Sequence, residues 1–405
     1  MNGPDSRLEA ICRSLREWRG GGRAGTPCRF SCVRNSDGTV RWFFRSDTSH
    51  PAFLALYNAT TLRGRLYAQA VRWLFRRGLG RLAVPETFEA DFSDIDLLNP
   101  WLDAPERFEH VAFFTGTRGQ DEKVVAALGR GGRVTHFLKI PLGIRARELV
   151  RAEAVALDRA RVLLPSRFEV PRAPEGVHSS GALLLTSVRP EEGGAARLED
   201  GTLVDFLSAL VEGSARRQAL GASSFYRAVA ERVEALSEVP EGLGGWAAAR
   251  LAVRLREAFR SLPVDREVSF AFAHGDFTPW NLHAQGDRLG VYDWELAGEA
   301  PVLHDLFHFV CQSGVLIRRR SARAILRDVG AMEEKDGVRD LARRFGVDLG
   351  LHFRLYLVDR ASYYLRAYLG RADLHPQAAW LMEFWGAALE DMEEQGPARA
   401  GRRAA

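Results

Sequence analysis

Lysine is almost absent from this chain. Of 56 basic residues, all but Lys123, Lys139 and Lys335 are arginine. A lysine stands out against that background, Lys139 most of all. Cysteine is scarce too: four in 405 residues, at positions 12, 28, 32 and 311. That is too few for a disulfide framework, and Cys28 and Cys32 lack the second ligand pair of a zinc site. Free thiols in a reducing cytosol are expected. No apolar run is long enough to span a bilayer. Residues 1–18 are polar and charged, with no apolar core of a signal peptide, so a cytoplasmic location is expected. The net charge is only +4, and no nucleic-acid partner is expected. What remains is ordinary for a soluble globular protein: 46% hydrophobic and 27% charged residues. The length suggests two or three domains.

Residues 273–281 read A-H-G-D-F-T-P-W-N, and Tyr292-Asp293-Trp294-Glu295 follows shortly after. The pattern is H-x-D-x-x-x-x-N with a second Asp beyond. Apolar runs at 268–273 and 289–292 precede the two pieces, and Gln285-Gly286-Asp287 between them signals a turn. Each piece therefore reads as a short strand delivering an acid to a loop. A loop and hairpin would bring Asp276, Asn281 and Asp293 together. Phosphoryl transfer needs such a cluster: a carboxylate to accept the proton of an attacking hydroxyl, and hard oxygen ligands for magnesium.

Ahead of this motif, residues 111–114, 123–128 and 133–140 read as three strands. The turn between the first two contains Gly116 and Gly119, and glycine lets backbone N–H groups approach phosphates closely. The third strand carries Lys139. Residues 145–160 read as a helix with an apolar stripe of Leu149, Val150, Ala154 and Leu157. Glu153 projects close to that stripe and needs a cation, for which Lys139 is the natural choice. Glu148 is the fallback. Residues 182–188 form a buried-strand run. Beyond 190 the chain reads as helical apart from the motif itself. His304 and His308, four apart on one helix, could pair on a metal. With no H-E-x-x-H they are read as solvated or core histidines.

Residues 1–105 match nothing in this pattern. They hold a helix at 6–18, strand-like runs at 28–46 and a helical stretch at 60–77. Residues 84–106 look like a connector. Trp42, Phe43, Phe44, Phe53, Tyr57, Tyr67 and Trp73 can bury a core, so an ordered extension is expected rather than a loose tail. The 60–77 stretch carries Arg63, Arg65, Arg72, Arg76 and Arg77 on one face. It is read as a helix packing its apolar face on a domain with its cations solvated, not as a membrane-surface helix.

H-G-D-F-T-P-W-N followed by Y-D-W-E-x-A-G resembles the aminoglycoside phosphotransferase and choline kinase family over residues 108–390. The resemblance implies an α+β, two-lobed, protein-kinase-like fold. A small antiparallel-sheet N-lobe at 106–188 would be followed by a mainly helical C-lobe at 189–395. Residues 1–105 would be an extra N-terminal α/β segment and 396–405 a disordered tail. The resemblance further implies ATP or GTP and magnesium as cofactors, and a small-molecule hydroxyl as acceptor. In that frame Asp276 is the base or orienting carboxylate, Asn281 and Asp293 hold magnesium, Lys139 holds phosphates and Glu153 holds Lys139. Gly116 and Gly119 lie over the phosphates, and Ser187, Val188 and Arg189 form the hinge that takes the base. His274 and Asp305 support the catalytic loop. Only eleven residues separate Asp293 from Asp305 and no A-P-E follows, which argues against a protein kinase. The alternatives are a nucleotide-binding regulatory module without turnover, and nucleotidyl transfer on the same fold.

Overall fold

A computed structural model describes residues 6–18, 27–35, 38–57, 62–90, 98, 108–116, 121–188, 201–236, 245–368 and 376–400. The chain divides into two compact units, one of residues 1–159 and 170–189, the other of residues 160–169 and 190–405.

The first unit is built on a seven-stranded sheet. Its strands are β1 (Cys28–Arg34), β2 (Val40–Arg45), β3 (Thr87–Ala90), β4 (His110–Phe114), β5 (Lys123–Arg130), β6 (Arg133–Pro141) and β8 (Leu183–Thr186); β7 (Phe168–Glu169) belongs to the second unit. The order is β3-β1-β2-β4-β5-β6-β8, antiparallel throughout. The expected boundary at residue 105 therefore falls inside one sheet, since β1 to β3 continue into β4. Residues 84–106, read as a connector, contain β3, which pairs with β1 at Arg29↔Glu89 and Phe30↔Phe88. A four-residue edge strand with a polar outer face gives the sequence too little alternation to reveal it.

The run Trp42-Phe43-Phe44 explains why both faces of this sheet are covered. Successive side chains of a strand point to opposite faces. Phe43 enters one core with Phe30, Val111, Phe113 and Leu138. Trp42 and Phe44 enter the other with Phe53, Val71 and Phe75. The helix Ser6–Trp18 presents Leu8, Ile11, Cys12 and Leu15 to the first core, a helical stripe. The helix Leu62–Arg76 packs Ala68, Val71 and Phe75 on the second, leaving its arginines outside. The helix Ile144–Leu163 follows β6.

The second unit is mainly helical: Gly201–Ser214, Ser224–Ala235, Gly245–Arg260, His304–Gln312, Ala322–Ala331, Asp336–Arg344, Leu349–Tyr368 and Pro376–Ala400. The last helix runs over part of the stretch expected to be an unstructured tail. Two small sheets lie among the helices. One contains β9 (Arg216–Ala219), β10 (Glu267–Ala273) and β13 (Gly298–Pro301), in the order β13-β10-β9. The other joins β11 (Leu282–Gln285) and β12 (Arg288–Val291) in a hairpin, with β7 parallel to β12. The sequence reading missed β9 and β13. The first is Arg-Arg-Gln-Ala and the second Gly-Glu-Ala-Pro, compositions depleted in strands; pairing with the apolar β10 makes them strands. All four cysteines are free thiols. No described helix is long and apolar enough to cross a membrane.

Phe43 is fully buried and stacks on Phe113 at 4.7 Å. Phe43→Ala is expected to cost about 3–5 kcal/mol, the usual range for emptying a core aromatic site. Urea denaturation checks this, and a loss below about 1 kcal/mol would show that the strand is not integral to the fold.

Candidate active site

In the first unit the scarce lysine is where a cation is needed. Lys139 lies on β6, between β5 and β8, so it is not on an edge. Its neighbours Leu138 and Ile140 are fully buried, and Lys139 itself is only 7% exposed. Its Nζ donates to both carboxylate oxygens of Glu153, at 2.8 and 2.6 Å, and Glu153 is 0% exposed. A charge so buried requires a partner. Glu148, the fallback, is exposed and pairs with Arg145.

Gly116 follows β4 with φ +73°, and a Cβ there would lie 2.3 Å from the Lys123 carbonyl. Only glycine fits that turn. Gly119 lies outside the described residues. Ser187 and Val188 follow β8, half-buried, with the Ser187 N–H bonded to the Thr135 carbonyl at 2.8 Å. Arg189 lies outside the described residues.

The second unit assembles the H-x-D-x-x-x-x-N loop at the end of β10. Gly275 has φ +82°, and a Cβ there would meet the Leu296 carbonyl at 2.1 Å. The chain can therefore turn sharply just before Asp276. The Asp305 carboxylate accepts from the backbone N–H of His274 at 2.7 Å and of Gly275 at 3.0 Å. His274 Nδ1 accepts from the Asp276 N–H at 3.2 Å, so Nε2 carries the proton and donates to the Tyr292 carbonyl at 3.1 Å. His274 thus links the two halves of the motif. Beneath the loop, Trp294 lies 4.7 Å from the His274 ring, and Phe277 stacks on Phe206 at 5.5 Å.

Asn281 Nδ2 donates to the Asp276 Oδ2 at 2.9 Å and to the Asp276 carbonyl at 3.0 Å. That directs the amide oxygen away from Asp276. The Asn281 carbonyl accepts from the Tyr292 N–H, and Leu282 pairs with Val291. The β11–β12 hairpin thereby sets Asp293 one residue beyond the partner of Asn281. Asp293 has φ +71°, a conformation that Asp tolerates better than most residues but that still strains the backbone. Such strain clusters at functional positions.

The chain matches the family model described as "Phosphotransferase enzyme family" over residues 115–341. It belongs to that family. No curated protein matches the sequence. Among solved structures, a GDP complex of a mutant aminoglycoside 2'-phosphotransferase-IIIa is similar at 14% identity and TM-score 0.44, covering 76% of this chain and 97% of the other. A GDP and kanamycin complex of APH(2'')-IIia is similar at 16% identity and TM-score 0.45, covering 74% and 97%. A choline/ethanolamine kinase family protein from Mesorhizobium loti is similar at 15% identity and TM-score 0.39, covering 67% and 85%.

Three residues that contact the predicted positions escaped the sequence reading. His308, read as a solvated or core histidine, puts Nε2 3.0 Å from the Asp276 Oδ1. Arg360 donates to the Gly275 carbonyl at 3.0 Å and to Asp359 at 2.7 Å. Arg7, on the N-terminal helix, donates to the Thr115 and Gly116 carbonyls at 3.0 and 2.9 Å and to Glu122. The helix before the sheet thus holds both sides of the glycine turn. No motif links these residues to their partners, which lie far along the chain.

The loop rests on buried charge. Burial alone would raise the Asp359 carboxyl, but Arg360, His304 and Arg232 outweigh it and hold it far below the usual carboxylate range. Burial likewise works against the ionised Asp305, and His304 together with the His274 N–H keeps it low. Burial would depress His304, and its two carboxylate neighbours raise it instead. The carboxylates stabilise the fold in full above about pH 5, and that contribution is lost as pH falls through the ordinary Asp value and below. The His304 contribution is complete below its ordinary value of about 6.5 and is lost as pH rises through its higher folded value. Urea midpoints should therefore fall steeply below about pH 5 and decline more gently on the alkaline side of neutrality. A midpoint that stays flat from pH 7 to 3 would contradict this account.

Proposed function

We propose that this chain transfers the γ-phosphoryl group of ATP or GTP to a hydroxyl of a small molecule. One observation carries the reading: Asn281 turns its N–H toward the Asp276 carboxylate and its oxygen away, so base and cation ligand are held in one arrangement. Asp276 accepts the proton of the acceptor hydroxyl. The acceptor oxygen forms its bond to the γ-phosphorus as the bond to the bridging oxygen breaks, and the nucleoside diphosphate leaves. Lys139, fixed by Glu153, offers its ammonium to the nucleotide phosphates. The Asn281 amide oxygen and the Asp293 carboxylate are hard donors, which suit magnesium. Magnesium, when bound, would neutralise charge on the phosphates. The short stretch between Asp293 and Asp305 leaves no length for a peptide platform, which favours a small acceptor.

The two aspartates have different tasks, and this separates an enzyme from a binder. Asp293→Asn should weaken magnesium-dependent nucleotide binding as well as turnover. Asp276→Asn is nearly isosteric and should leave nucleotide affinity nearly intact while turnover falls by about 10²–10⁴, the usual worth of a positioned acid–base group. Calorimetric titration with magnesium nucleotide and a phosphate-transfer assay measure the two effects. Equal loss of nucleotide binding in both variants, or unchanged turnover in Asp276→Asn, would sink the mechanism.

A further inference from the structure

We propose that His308 is a positioning residue for Asp276: its imidazole, protonated at Nε2, donates to the Asp276 Oδ1 and fixes the direction the carboxylate faces. The inference rests on the reading of Asp276 as the proton acceptor.

His308 lies on the helix His304–Gln312, every residue of which is buried, and is itself 0% exposed. Its two nitrogens face two groups. Nε2 is 3.0 Å from the Asp276 Oδ1, and Nδ1 is 3.4 Å from the Tyr356 hydroxyl. An ionised carboxylate only accepts, whereas a phenol can donate. A neutral imidazole has one N–H to give, so the proton belongs on Nε2, and the Nδ1 lone pair faces the Tyr356 hydroxyl, which also meets Cys311. The other tautomer would set a lone pair against a carboxylate. Burial favours the neutral ring, pushing its pKa down against the pull of Asp276, with Arg360 and His304 adding to the burial effect.

The two oxygens of Asp276 are thus held from two sides. Asn281 of the loop takes Oδ2 at 2.9 Å, and His308 of the helix takes Oδ1. One donor would leave the carboxylate free to swing about that contact; two from separate elements select one orientation. A base must meet the attacking hydroxyl in a narrow geometry, and a small misplacement can cost about 10²-fold. His308 is fully buried and acts through Asp276.

Two measurements test this on the full-length chain. With ¹⁵N-labelled histidine, two-bond ¹H–¹⁵N correlation spectra report the tautomer, and the His308 signal is the one lost in His308→Gln. A neutral ring protonated at Nε2 is expected at pH 7; protonation at Nδ1 overturns the proposal. Nucleotide hydrolysis is then followed with MgATP and MgGTP, water serving as acceptor. His308→Leu should lower kcat by about 10- to 100-fold, with KM for nucleotide nearly unchanged. His308→Gln keeps a side-chain N–H and should recover most of that loss. A folded His308→Leu with kcat within about twofold of wild type overturns the proposal. Should His308→Leu fail to fold, Tyr356→Phe decides: loss of the partner of Nδ1 should reduce kcat by about fivefold, one hydrogen bond's worth, and no reduction counts against it. A wild-type chain that hydrolyses neither nucleotide counts against the phosphotransfer reading instead, and the tautomer still decides the role of His308.

Discussion

The H-x-D-x-x-x-x-N loop depends on charge buried beneath it. Asp305 accepts the two backbone N–H groups that begin the loop, and Arg360 donates to the carbonyl between them and Asp276. Arg360 is held by Asp359, which also takes His304 and Arg232. Removing one member of such a set leaves others charged and unpaired in the interior, at a cost of about 3–5 kcal/mol. Apolar residues of similar size could fill the same volume with equal stability. They could not hold the N–H of Gly275 and its carbonyl at once. The network supplies direction: it fixes the backbone that leads into Asp276 from both sides of Gly275.

The first unit meets a similar demand with a single pair. Lys139 sits among fully buried neighbours on an inner strand, and Glu153 neutralises it from the following helix. Around that pair the chain has built a sheet larger than a small N-lobe requires. The strands β1 to β3 extend it, and the helix Ser6–Trp18 closes one face and reaches the glycine turn through Arg7. The described N-terminal helix and strands are therefore structural partners of the strands that carry Gly116 and Lys139, joined to them by a shared core and by hydrogen bonds.

The sequence was most legible where chemistry demands residues at short, fixed spacing. Asp276 and Asn281 are five apart, and their contact follows from one loop. Lys139 and Glu153 are fourteen apart, and a central strand followed by a helix with an inward acid predicts their meeting. Legibility ended where contacts cross large separations. His308 reaches Asp276 over 32 positions, Arg360 reaches Gly275 over 85, and Arg7 reaches Gly116 over 109. Each is a common residue type on an amphipathic or buried helix, and nothing local distinguishes it from a solvated or core side chain. The short strands β3, β9 and β13 were hidden for a related reason: neighbouring strands, rather than their own composition, make them extended.

The central claim is that a phosphoryl group moves from nucleotide to a small hydroxyl compound. The most direct measurement incubates the full-length chain with magnesium and γ-labelled ATP or GTP against a panel of hydroxyl metabolites, and identifies labelled products by mass spectrometry. The account predicts a phosphomonoester that gains one phosphoryl group from the γ-position, with nucleoside diphosphate as the coproduct. A product carrying the nucleoside monophosphate, or nucleotide bound without any transfer across the panel, would contradict it.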